Sequence, residues 1–212
     1  TKQKQVGLIS GKFNVDGRSF DVNTMVLRTR SQISKVEIAD KVINNVYLEG
    51  LLDHKKYTGI INVNDEQAKA KVNGLIDFSK PKLIADVKAD VEYLNINYFT
   101  GAKGTQAVSG LVDGKIAMTN LNDLTLDADL QNIHFAANDQ KFHIPEANVK
   151  AFFENGNRVV SVDAPGAVTG KIDGKFNLGD LAGMMENGFG EILVGPPPRK
   201  LYHGQNFNMD FD

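Results

Sequence analysis

Residues 81–93, PKLIADVKADVEY, constrain this chain more than any other stretch. Leu83, Ala85, Val87, Ala89, Val91 and Tyr93 fall on one parity, and Lys82, Asp86, Lys88, Asp90 and Glu92 on the other, with Ile84 the exception. Successive side chains of a strand point to opposite faces, whereas a helix would scatter these residues around its circumference. The run is therefore a half-buried strand with an apolar face and a charged face. The rest of the chain repeats the pattern.

A short motif also repeats: ISGKFNV at 9–15, VDGKIAM at 112–118 and IDGKFNL at 172–178, with looser copies VNGLIDF at 72–78 and LEGLLDH at 48–54. Its glycines, at 11, 50, 74, 114 and 174, stand at unequal steps of 39, 24, 40 and 60 residues. A solenoid of identical coils would hold one period. The steps predict an irregular stack of strands in which each glycine serves sheet curvature or a close approach.

Taken in order, the alternation predicts strands over 6–15 and 20–28, joined by the hairpin dipeptide Asp16-Gly17, then 33–39, 42–52, 57–63 and 68–78. The apolar parity changes at Tyr93–Leu94, which requires a bulge or a short turn before the loop at 100–106. Strands follow over 108–118, 124–131, 133–137, 142–144, 147–153, 159–162, 167–178 and 201–211. One helix is predicted over 181–187, with Asp180 as N-cap and Gly188 as C-cap, ahead of the stiff connector Val194-Gly195-Pro196-Pro197-Pro198. The expected organisation is a repeat-bearing segment over 1–195, then a Pro-rich connector and a further strand over 196–212. The opening at Thr1 and the alternation of Phe207, Met209 and Phe211 at the end lead us to expect a piece of a longer protein.

Several chemistries find no support. The net charge is -2, where duplex binders carry a basic field, so no nucleic-acid partner is expected. There is no cysteine, hence no thiolate metal site, and His54, His134, His143 and His203 show no metal-ligand spacing. The Gly-Lys runs at 110–115 and 170–175 lack the spacing and the following Ser or Thr of a phosphate loop, and Ser109 lacks the upstream glycine of a nucleophile elbow. Asp123, Asp127 and Asp129 read as a solvated strand face rather than a calcium site. With no Trp and few Tyr, a polysaccharide-binding β-helix is disfavoured. We expect no catalysis, no cofactor and no metal.

The order of motifs from Lys71 to Met118, a G-x-[IV]-D-F-S strand, a long alternating strand and a G-x-[IV]-x-G-x-[IL] strand, resembles the AsmA-like superfamily in its TamB-like branch. The later run APGAVTGKIDGKFNLGDLAGMM extends the likeness. The resemblance implies an all-β, elongated, curled and incompletely closed antiparallel or mixed sheet (a β-taco) with an apolar inner groove. It also implies a periplasmic body of a protein anchored in the inner membrane of a diderm bacterium. Such a body would carry phospholipid toward the outer membrane and assist assembly there with an Omp85-type barrel, engaged through regions outside this chain.

The alternation names the candidates for the groove: Val72, Ile76, Leu83, Val87, Val91, Val108, Val112, Ile116, Met118, Leu124, Leu126, Leu130, Ile172 and Phe176. Periodicity alone leaves two readings open, an exposed lipid-lined face or the core of a closed sandwich. The resemblance favours the first. A different class of function, a chaperone or docking scaffold, would use an exposed sheet edge to template a client strand. Such edges also make a dimer of the chain an expected association.

Overall fold

The computed structural model describes residues 6–19, 21, 23–38, 41–100, 106–137, 140–178 and 206–212. The strands are β1 (Val6–Arg18), β2 (Val26–Ile38), β3 (Lys41–Asp53), β4 (Lys56–Asn64), β5 (Ala68–Asp77), β6 (Leu83–Asn95), β7 (Gln106–Met118), β8 (Thr125–Ala137), β9 (Gln140–Glu154), β10 (Asn157–Ala164), β11 (Val168–Lys175) and β12 (Asn206–Phe211). One short helix, α1 (Ile96–Thr100), follows β6. The strands form one twelve-stranded sheet in chain order, and every pairing is antiparallel. The order is linear, so the sheet is curled but not closed. A β-helix, which needs parallel coils, is ruled out.

The connections form two rims. One rim carries the 64–68 turn, α1 and the 164–168 turn; the other carries the 53–56, 77–83, 118–125 and 154–157 connections. On the charged face, one row of register neighbours alternates in sign: Asp86, Lys115, Asp127 and Lys150 lie side by side on β6 to β9. A slip of one residue would bring the apolar set to this face and bury these charges, so the pattern defines the register.

Three sequence expectations need correction. Asp16-Gly17 is not a hairpin turn, because β1 runs through it to Arg18 and the connection lies between Arg18 and Val26. β2 is one continuous strand where two segments are predicted. Its inward positions Thr29 and Ser31 are polar, which erases the alternation, and their hydroxyls bond each other at 2.7 Å. β8 and β9 are likewise continuous, and Pro145 is tolerated because the pairing of β9 with β10 reaches only Asn148. The parity change after Tyr93 takes both forms foreseen for it, a register shift between Val91 and Leu94 and then α1. The predicted helix over 181–187 and the connector over 194–198 lie outside the described residues.

Candidate functional site: the apolar face

Register converts the candidates into lateral rows. Leu27, Leu52, Tyr57, Ile76, Ala85, Ile116, Leu126, Ala151, Val160, Ile172 and Met209 are successive partners from β2 to β12. A second row holds Ile61, Val72, Ala89, Val112, Leu130 and Ala147 on β4 to β9. Between them, Gly50, Gly59, Gly74, Val87, Gly114 and Ala128 make a row of mostly small residues. Leu83 pairs with Met118, Val91 lies beside Ala70, and Val108 lies beside Leu94 and Phe135. Leu124 shares the parity of Leu126, and Phe176 meets Phe207 edge-on, with ring centroids 5.8 Å apart. The candidates therefore share one face. At about 4.8 Å per strand, the long row runs roughly 50 Å across the sheet, several times the ~15 Å depth of one bilayer leaflet.

The unequal spacing of the repeat glycines now has a cause. Gly50, Gly74 and Gly114 stand at the same lateral level on hairpins of different length. Gly74 has φ 151°, and a Cβ there would press into the Asp86 carbonyl and the Val87 Cα. Gly50 and Gly59 make room for the Tyr57 ring, whose hydroxyl would lie 2.7 Å from a Cβ on either. That hydroxyl donates toward the Glu49 and Ile60 carbonyls, at 3.0 and 3.1 Å. The aromatic ring thus covers backbone that the glycines leave bare.

Cover over the face is incomplete. Among the described residues, Ser31 is the largest side chain with less than 2% of its surface exposed. The best-buried apolar positions are mainly alanines, with Ile172 at 3%. Most of the named candidates, Val72, Ile76, Val87, Val112, Ile116 and Leu130 among them, are only half-buried. A closed sandwich would cover such side chains completely.

Each rim holds a polar clasp that the sequence reading misses. On the first, the short hairpin β4–β5 leaves the beginning of β3, paired with β2 on its other side, without a neighbour on the β4 side. The Tyr98 hydroxyl on α1 fills the gap, accepting from the Val42 N–H and donating to the Val42 carbonyl, both at 2.9 Å. The Tyr98 ring packs on Val36, Ile43 and Val46. Asp65 continues the clasp, accepting from the Asn44 N–H at 2.8 Å, the Asn44 amide at 3.0 Å and the Gln67 N–H at 2.7 Å. Burial alone would raise the Asp65 carboxyl, but the bonds from Gln67 and Asn44 outweigh it and hold it below its ordinary value. A polar cleft of about 980 Å³ opens beside these residues.

On the second rim, Arg158 is 3% exposed. Its register partners Phe153 and Gly174 put it on the apolar face, two positions before Val160. The guanidinium stacks 4.5 Å from the Phe153 ring centroid and donates to the carbonyls of Asn122 and Leu124. Burial pulls it below its ordinary pKa, with Asp123 acting the other way. An alternation-based search passes over it because a lone Arg at the start of a strand looks like surface.

Compared with known proteins, this chain matches no family model, and no curated protein or solved structure is similar to it. The remaining sequence candidates are placed by geometry. Asp127 and Asp129 lie on the charged face, where both accept from the Asn148 amide, at 3.2 and 2.8 Å. Asp123 caps the 3-10 turn Leu121–Asp123. His134 and His143, distant in sequence, pair across β8 and β9 with rings stacked at 4.5 Å. Their equal distance from the hairpin ends, three residues before Ala137 and three after Gln140, is the signal that could have found them. No cluster of three or more metal-ligating side chains occurs among the described residues.

Proposed function

We propose that the apolar face shields phospholipid acyl chains as the lipid moves across the strands, and that this body bridges inner and outer membranes in a diderm periplasm. Kinship with the AsmA-like proteins belongs to the same proposal. The observation that carries it is the long apolar row on one face of an unclosed sheet, in which six of eleven side chains are only half-buried. Each CH2 laid on such a face gains roughly 0.8 kcal/mol, and apolar contact is non-directional, so lipid slides without a fixed register. The work is non-catalytic and needs no cofactor.

The test is lipid analysis of the chain purified from a diderm host. Phospholipid is expected to co-purify with the unaltered chain and with Lys115→Glu, whose change falls on the charged face, and to be lost from Ile116→Glu. Equal lipid content in the two variants would overturn the reading.

A second reading, strand templating for outer-membrane proteins or an edge-paired dimer, draws on β1. Leu8, Ile9, Phe13 and Val15 on that edge are exposed, Phe13 at 55%. Proline at Ile9 would abolish that activity and leave lipid content unchanged.

A further inference from the structure

A buried cation at the margin of an apolar face asks for an anion. Arg158 makes none of the ion pairs among the described residues, and its Nε is a buried polar atom without a hydrogen-bond partner. Its terminal nitrogens donate to two backbone carbonyls, which satisfy hydrogen bonds but do not neutralise the charge. The nearest acid is committed elsewhere. The Asp123 carboxylate accepts from the Thr119 and Asn120 N–H groups at 2.6 and 2.9 Å and lies 3.8 Å from Lys82 Nζ. A buried charge without a paired carboxylate is costly, and the field of Asp123 and the Phe153 ring offset only part of that cost.

From this geometry we infer that Arg158 is an anionic headgroup site: the phosphate of an amphiphile docks against its guanidinium, taking the free Nε–H, while the acyl chains lie on the adjoining apolar rows. The site rests on the groove reading and refines it, for the rows themselves offer no polar handle. Position supports the assignment. Arg158 stands at the rim, where a headgroup would ride, and Val160 on its own strand, with Ile172 and Ala151 on the neighbouring ones, continues inward from it. Docking requires the Phe153 ring over the guanidinium, itself 47% exposed, to swing aside. A single such residue among the described ones makes this a station along the groove rather than a continuous track.

The experiment compares two fluorescent lipids with identical chains, phosphatidic acid and diacylglycerol, titrated into the whole chain. The unaltered protein is expected to bind phosphatidic acid about 10- to 100-fold more tightly, the range of one charge-assisted hydrogen bond. Arg158→Gln, checked for native circular dichroism, is expected to bind both lipids at the diacylglycerol level, and Arg158→Lys to recover part of the preference. Preference in the unaltered chain needs no variant, so misfolding of Arg158→Gln does not remove the test. Glycerol 3-phosphate, competing at the concentration of the lipid, is expected to have no effect. Full competition would make this a soluble-phosphate site and overturn the lipid assignment. Equal binding of the two lipids overturns the headgroup site but spares the groove, whereas no binding of either overturns both.

Discussion

Replacing Tyr98 with Phe removes one oxygen and leaves the ring in place. In the native protein that oxygen serves both backbone groups of Val42, 56 residues away in the chain, with bonds of 2.9 Å each. Phe cannot serve either group, and β4 ends too early to replace it, since the β3–β4 ladder stops at Val46 and Val63. Each lost bond is worth about 0.5–1.5 kcal/mol net, so the variant is expected to lose about 1–3 kcal/mol against urea. Ring packing on Val36, Ile43 and Val46 is retained, so the loss must come from the hydroxyl alone. Hydrogen exchange separates this from a general loosening. The Val42 amide is expected to lose protection, while those of Leu126 and Val160, far across the sheet, keep theirs relative to global stability. A stability change below about 0.3 kcal/mol with Val42 still protected would show that water serves β3 as well as Tyr98 does. The clasp would then be incidental.

Asp65→Ala strips the acceptor from Asn44 and Gln67 and is expected to cost about 1–3 kcal/mol by urea unfolding, with Asn44 and Gln67 exchanging faster. Gly74→Ala forces a side chain into φ 151° and against the neighbouring strand. It is expected to cost about 1–3 kcal/mol more than an alanine at Gly166, where nothing lies within 4 Å and only the φ of 76° opposes a side chain; an equal loss at both sites would assign the effect to φ and not to strand approach. Asp123 is held at about 2 by the Asn120 N–H, then, against burial, by Thr119 and Lys82. Its folded value lies below its unfolded one of about 3.9, so its contribution is full above about pH 4 and lost as pH falls toward 2. Asp123→Asn is expected to lower the urea midpoint at pH 7 and to flatten its fall over that window; an unchanged acid profile would show that the cap carries no linkage.

Residue alternation carries the fold as far as chemistry keeps the two faces different. Leu83 to Val91, Val112 to Ile116 and Leu126 to Leu130 are legible because one parity is apolar or glycine and the other is mostly charged. Legibility fails in β2, where Thr29 and Ser31 occupy inward positions and satisfy each other, and near the first rim, where Asn45 and Asn132 adopt positive φ (53° and 50°) inside strands. Val46 and Ile43, three residues apart around Asn45, join one cluster as a result. The candidates from Val72 onward share a face with Leu27, Leu48, Leu52 and Ile61, which the sequence reading does not name because alternation is weaker over the first strands. Tyr98 and Arg158 are invisible for another reason. Each acts across an intervening strand or hairpin, and no local pattern encodes a partner dozens of residues away.

Site-specific photocrosslinking in cells tests the central claim most directly, with the probe at Val87 and Ile116 on the apolar face and at Lys88 and Lys115 on the charged face. Lipid adducts at the first pair and none at the second are the predicted result. Equal labelling of both pairs, or none in a well-folded chain, would contradict a lipid-bearing face and give the edge-strand scaffold the lead.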